Sequence, residues 1–254
     1  MLKNLICFLA VAMLISTHVD AQRNSIVKDS SLTFAEFGIH LGLSSPGADM
    51  GKRFGNNATA GGHFGFKFKK NWTLDAQVGF LFGSDVKEPG LLSNIVTEQG
   101  AIIGADGRLA DVRIFERGYH LSINAGKLFS FNMPNPNSGI LITVGAGFMQ
   151  HKIKIEVIDA TVPELNDEYI PGYDRLANGW MLKEFIGYRY YGNKKLINFL
   201  IGFEFIQGFT AGRRDYNYDT MVPGNEDRTD LLYGIKAGWI VPLYGKTKST
   251  FYYD

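Results

Sequence analysis

His120 and Ser122 stand two positions apart, a spacing that on an extended strand puts both side chains on one face. There the imidazole could serve as base and the hydroxyl as nucleophile. No orienting acid is placed beside them, so the favoured reading is a His and a Ser in a polar interior. Glu36, Lys67, Asp75, Lys183, Arg189, Glu204 and Lys236 are charged positions on otherwise apolar, alternating segments. Charges held away from water need partners, which predicts a buried network more readily than an ion or proton pathway. His40, His63 and His151 are scattered over three segments without zinc-ligand spacing, and no metal or other cofactor is expected. Asp159, Glu164, Asp167, Glu168 and Asp174 lack the ligand spacing of a calcium loop and read as a solvated acidic loop. Arg213, Arg214, Tyr216 and Tyr218 have a composition suited to contact with lipopolysaccharide phosphates or a protein partner.

The elements that must position these residues are strands. From 72 to 83, Trp72, Leu74, Ala76, Val78, Phe80 and Phe82 share one face, with Thr73, Asp75, Gln77, Gly79 and Gly83 on the other. Seven further segments alternate similarly, at about 33–44, 58–69, 118–131, 139–152, 179–191, 196–210 and 230–243. In 58–69, Ala60, Phe64, Phe66 and Phe68 are expected outward and His63, Gly65, Lys67 and Lys69 inward. In 196–210, Phe199, Ile201, Phe203, Phe205 and Phe209 oppose Asn198, Gly202, Glu204 and Gly208. Short connections (Lys70-Asn71, 132–138, 192–195) alternate with long ones (45–57, 84–117, 153–178, 211–229), as in outer-membrane barrels. The prediction is an all-β chain: an eight-stranded, antiparallel, up-and-down transmembrane β-barrel with long external loops and both termini in the periplasm. A hairpin turning at Asp106-Gly107 either extends the wall or raises the count to ten strands. Pro242 interrupts the last strand near its end, where a missing donor is tolerable.

The competing architecture is a soluble, lipocalin-like periplasmic barrel, whose interior would be apolar. Opposite the aromatic face stand mostly glycines and charges, too small and too polar for such a core. That direction of alternation favours a lipid-facing wall.

The first residues support export. Lys3 precedes an apolar run from Leu5 to Ile15, and Val19 and Ala21 form a small-residue cleavage site, so residues 1–21 read as a signal peptide removed before Gln22. Residues 22–254 then form one domain. The single cysteine, Cys7, falls in the removed segment, leaving no thiol, disulfide or lipid-anchoring cysteine. A net charge of +1 with dispersed charges gives no basic stripe for nucleic acid.

In strand number and connection lengths the pattern is similar to small outer-membrane barrels of the OmpA and OmpX type. Tyr173-Asp174-Arg175, Phe185-Ile186-Gly187-Tyr188, Ile197-Asn198-Phe199, Gly202-Phe203-Glu204 and Gln207-Gly208-Phe209 resemble Bacteroidota outer-membrane barrels of unassigned role. That resemblance implies location and fold, and no activity. His120, Ser122, Asn124, Ala125 and Gly126 resemble the catalytic segment of outer-membrane lipid A deacylases, but Ile123 intervenes where that family has Asn directly after Ser. The expectation is a non-enzymatic barrel contacting outer-membrane lipid and other envelope proteins, as an accessory subunit of an envelope assembly. A lipid A-modifying hydrolase or a narrow gated channel are the alternatives.

Overall fold

The computed structural model describes residues 30–131, 134–192 and 197–244. Residues 1–21, expected from the sequence to be a signal peptide, and the tail Gly245 to Asp254 lie outside the described residues, as do parts of two short turns.

Eleven strands follow one another in the described chain: β1 (Phe34–Gly47), β2 (Asn57–Lys67), β3 (Trp72–Gly83), β4 (Ile102–Ile103), β5 (Leu109–Phe129), β6 (Gly139–Ile158), β7 (Ala177–Tyr191), β8 (Asn198–Gly212), β9 (Arg214–Asn217), β10 (Val222–Gly224) and β11 (Asp227–Leu243). Eight of them form the wall in the order β3-β2-β1-β11-β8-β7-β6-β5, and β3 pairs back to β5. Every pairing is antiparallel and β1 zips to β11 from Ala35↔Leu243 to Gly47↔Leu231, so the sheet closes with no free edge. This is a closed eight-stranded up-and-down barrel. The ten-strand alternative is not realised. Residues 102–110 do form a hairpin, with Gly107 at φ +77°, but two-residue β4 pairs only with the outer end of β5 and extends the wall.

Several boundaries differ from the sequence expectation. β5 begins at Leu109, inside the segment read as a loop to 117, and β6 runs on to Ile158; the pair stays zipped as far as Asp111↔Ile158. The connection after β1 carries a six-residue helix, α1 (Ala48–Arg53), which the sequence reading treats as loop. Lys69, expected inward, lies exposed in the turn between β2 and β3. That turn needs a left-handed residue and has Asn71 at φ 60°, a conformation asparagine tolerates.

The interior contains more apolar side chains than the alternation implies. Phe34, Leu128, Leu141, Phe185, Tyr191, Leu200 and Ile240 form a buried cluster reaching the short-turn end. A larger cluster, built on Met50, Phe54, Leu81, Met149, Met181, Ile206 and Leu232, fills the long-loop end and continues into the loops through Leu91, Val162, Leu165 and Tyr173. The expectation of an interior too small and too charged for an apolar core is thus corrected. The inward apolar residues gather toward strand ends, where some buried polar groups such as Lys67 and Asp230 accompany them, and polar residues hold the middle.

Candidate functional site

Inside the barrel, Glu204 on β8 takes Lys183 of β7 at 3.0 Å and Lys236 of β11 at 2.5 Å. The Gln77 side-chain oxygen accepts from the same two ammonium groups, at 3.1 and 2.9 Å. Its amide nitrogen donates to Asp75 at 2.8 Å, and Asn124 donates to the same Asp75 oxygen at 2.9 Å. Nearer the short turns, Arg189 donates to Glu36 at 2.8 Å, and the Tyr191 hydroxyl donates to the other Glu36 oxygen. Three carboxylates therefore face three cations in contiguous hydrogen-bonded groups, which offsets part of the cost of burying each. Lys67, fully buried, stands apart from these ion pairs. Its ammonium donates to Ser31 Oγ, the Leu32 carbonyl and Asn137 Oδ1 at 3.0–3.2 Å, tying the chain before β1 to the β5–β6 turn.

His120 and Ser122 both point inward and are buried. Among the described residues neither imidazole nitrogen of His120 nor Ser122 Oγ has a hydrogen-bond partner, so the two do not form a base and nucleophile pair here. His120 occupies the space left by Gly79, its cross-strand partner on β3, where a methyl group would collide with the ring. His40 and His63 sit 6.5 Å apart, centroid to centroid, while His151 bonds Asp230 at 2.8 Å near the long-loop end. No group of three potential metal ligands occurs among the described residues.

At the long-loop end, the residues expected to be free for contacts are largely committed. Arg214 forks onto Asp174 at 2.8 and 2.6 Å, and that carboxylate raises the guanidinium's pKa. Asp174 itself is buried, which corrects its assignment to a solvated acidic loop; the alternation of charges in sequence could not reveal a partner forty residues away. Arg213 donates to Asn178 at 2.7 Å. Tyr218 packs edge-on against Tyr173 at 5.5 Å, and Tyr216 remains exposed. Tyr169, Tyr173, Tyr218 and Met221, with Asn94, Ile95 and Glu164, line a shallow depression of about 290 Å³. α1 is held down by Asp49, which accepts from Lys52 at 2.8 Å and from the Thr229 amide at 3.0 Å; these bonds hold its carboxyl below the usual range.

No protein-family model matches the chain, and no curated protein sequence matches it. Among solved structures it is similar to Ail, the attachment invasion locus protein of Yersinia pestis, at 12% identity and a TM-score of 0.38, over 82% of this chain and 99% of that one. It is similar also to the N-terminal β-barrel domain of Pseudomonas aeruginosa OprF, at 13% identity and a TM-score of 0.38, with the same coverage of both chains. The closed barrel is established by its own strand pairing.

The outer wall is the remaining surface. Its outward side chains are almost all apolar, with Ile39, Leu41, Leu43, Phe64, Phe80, Ile123, Val144 and Phe203 among many that are half or more exposed. Aromatic residues mark two levels. Toward the long loops, Trp180 stacks on Phe209 at 4.2 Å; toward the short turns, Tyr190 stacks on Phe199 at 5.2 Å, and Lys127 caps Trp72 at 5.1 Å. Arg117 and Lys152 are cross-strand partners beside Phe80, Phe82 and Tyr119. The sequence reading identified the apolar face but named inward and loop residues, and no single residue of the wall, as candidates for function.

Proposed function

We propose that the chain is an integral outer-membrane barrel without enzymatic activity, working through contacts made by its rim and wall, with the long loops outside and both chain ends in the periplasm. The observation that carries this reading is an apolar wall, banded by aromatics, around an interior plugged by side chains at both ends. An exposed apolar surface of this extent is costly in water and natural in hydrocarbon, where a closed sheet satisfies every backbone group. Aromatic bands suit the two membrane interfaces. From Trp180 to Tyr190, β7 covers the about 9–11 residues a tilted strand needs to cross. Arg117, Lys152 and Lys127 lie where long cationic side chains reach headgroup phosphates. Export by the segment 1–21 belongs to the same proposal.

His120 and Ser122 lie on the wrong side of the wall for a lipid substrate, and nothing in their geometry favours hydrolysis. The deciding experiment is gel mobility of protein from purified outer membranes, boiled and unboiled. A heat-dependent shift with outer-membrane partition is expected. A soluble protein without a shift would overturn the reading.

A further inference from the structure

Glu184 is the one acidic or basic residue on the outward face between the two aromatic bands among the described residues. Its register settles which way it points: it pairs with Val144 on β6 and Phe205 on β8, both outward, while its neighbour Lys183 is buried in the interior. It stands between Trp180 and Tyr190 along β7, near mid-height of the wall. Gln207, on β8, also faces outward, opposite Leu182 and Leu231. The two are diagonal neighbours, because Glu184 pairs with Phe205, two residues before Gln207. No hydrogen bond or ion pair joins either side chain to another described residue.

A carboxylate at this depth in hydrocarbon is costly, and a protonated one still leaves polar atoms without partners. Glutamate is too short to reach the headgroups from mid-wall, unlike lysine or arginine. Something other than lipid must therefore meet it. Resting on the membrane reading above, we propose that the β7–β8 wall is an interface within the membrane, and that its occupant is a second copy of this chain. The patch is self-complementary, because a protonated carboxyl and a carboxamide each carry both a donor and an acceptor. A twofold axis along the membrane normal, passing between β7 and β8, keeps every residue at its own height, so Glu184 of one copy meets Glu184 of its partner and Gln207 meets Gln207. Ala146 and Val144, beside Glu184, are small enough to let the walls approach. Flat stacks of Trp180 on Phe209 and Tyr190 on Phe199, with interplanar angles of 17° and 28°, bound the patch above and below.

The test is cysteine cross-linking in isolated outer membranes with the full chain, in a Cys7→Ser background. Leu182→Cys, beside the proposed axis, should give a band of twice the monomer mass after treatment with a short bismaleimide. Ile39→Cys, on β1 away from β7 and β8, should not. Adding Glu184→Leu to Leu182→Cys should lower the yield by about tenfold, whereas Glu184→Gln, which keeps an acceptor, should retain most of it. Heat-dependent gel mobility of the same samples reports whether the barrel has formed. A normal mobility shift with no dimer band, or equal bands from Leu182→Cys and Ile39→Cys, overturns the interface. A cross-link of another mass overturns the second-copy assignment in favour of a different membrane partner. Loss of both the shift and membrane partition means that the membrane reading has failed, and this inference with it.

Discussion

At the scale of single residues, the interior pairs set the sharpest expectations. Glu36 and Arg189 are 153 residues apart in sequence, both buried, and bonded at 2.8 Å. Removing one partner leaves an uncompensated buried charge, so Glu36→Leu should cost about 3–5 kcal/mol. Glu36→Leu with Arg189→Met should cost less than either change alone, because the pair was offset against its own desolvation. Urea titration of the heat-shifting species in lipid vesicles measures both, and an additive double variant would contradict the pairing. The alternation of each strand made the inward direction of these residues legible, since period two fixes which face a side chain takes. Their partners were not legible, because strand register and closure bring together residues that no local pattern connects. Arg214 illustrates the limit: the composition of its loop pointed to lipopolysaccharide phosphates or a protein partner, and the fold gives it Asp174.

Secondary-structure elements were most legible where one face meets solvent or lipid and the other the interior. The hairpin of β5 and β6 beyond about residue 117 was harder to read, because there the strand leaves the wall and mixes charged and apolar residues on both faces, as in Arg113-Ile114-Phe115-Glu116. The helix α1 was hidden for another reason: six residues hold less than two turns, too few for a helical period to appear. Met50 and the following Phe54 are nonetheless fully buried, and Phe54 packs edge-on to His151 at 5.6 Å. Phe54→Ala should therefore destabilise the barrel by about 3–5 kcal/mol in the same titration, the usual cost of emptying a buried aromatic site. Asp49 gives this element a pH dependence. Its folded pKa is depressed, first by the bond from Lys52 and then by the Thr229 amide, so its contribution is complete above the ordinary value of 3.8 and is lost as pH falls through the lower folded value. Hydrogen exchange should show the Thr229 amide protected at pH 5 and opening only below that ordinary value. Opening at neutral pH would remove Asp49 from this role.

For the whole molecule, the question is whether the barrel conducts. An eight-stranded barrel has an interior just wide enough to be filled by side chains, and here the filling is ordered along the axis. Paired charges occupy the middle, and apolar clusters lie toward the long-loop and short-turn ends beside further buried polar groups such as Asp230 and Lys67. That arrangement was misread in sequence because inward apolar residues such as Leu81, between Phe80 and Phe82, break the alternation and look like part of the outward set. A charged path bracketed by apolar plugs bars ions, since an ion would have to shed its water or each plug would have to be hydrated side chain by side chain before it could enter. Planar-bilayer recordings of the purified protein should therefore be silent. The stronger form of the prediction concerns Arg189→Ala, which in a charge-gated channel would change conductance. Here it removes one partner of Glu36 and leaves both apolar clusters standing, so the variant should lose stability and stay silent. Discrete openings in the wild type, altered by Arg189→Ala, would show that the plugs move aside, and the charged interior would then be the functional part of the molecule in place of its wall and rim.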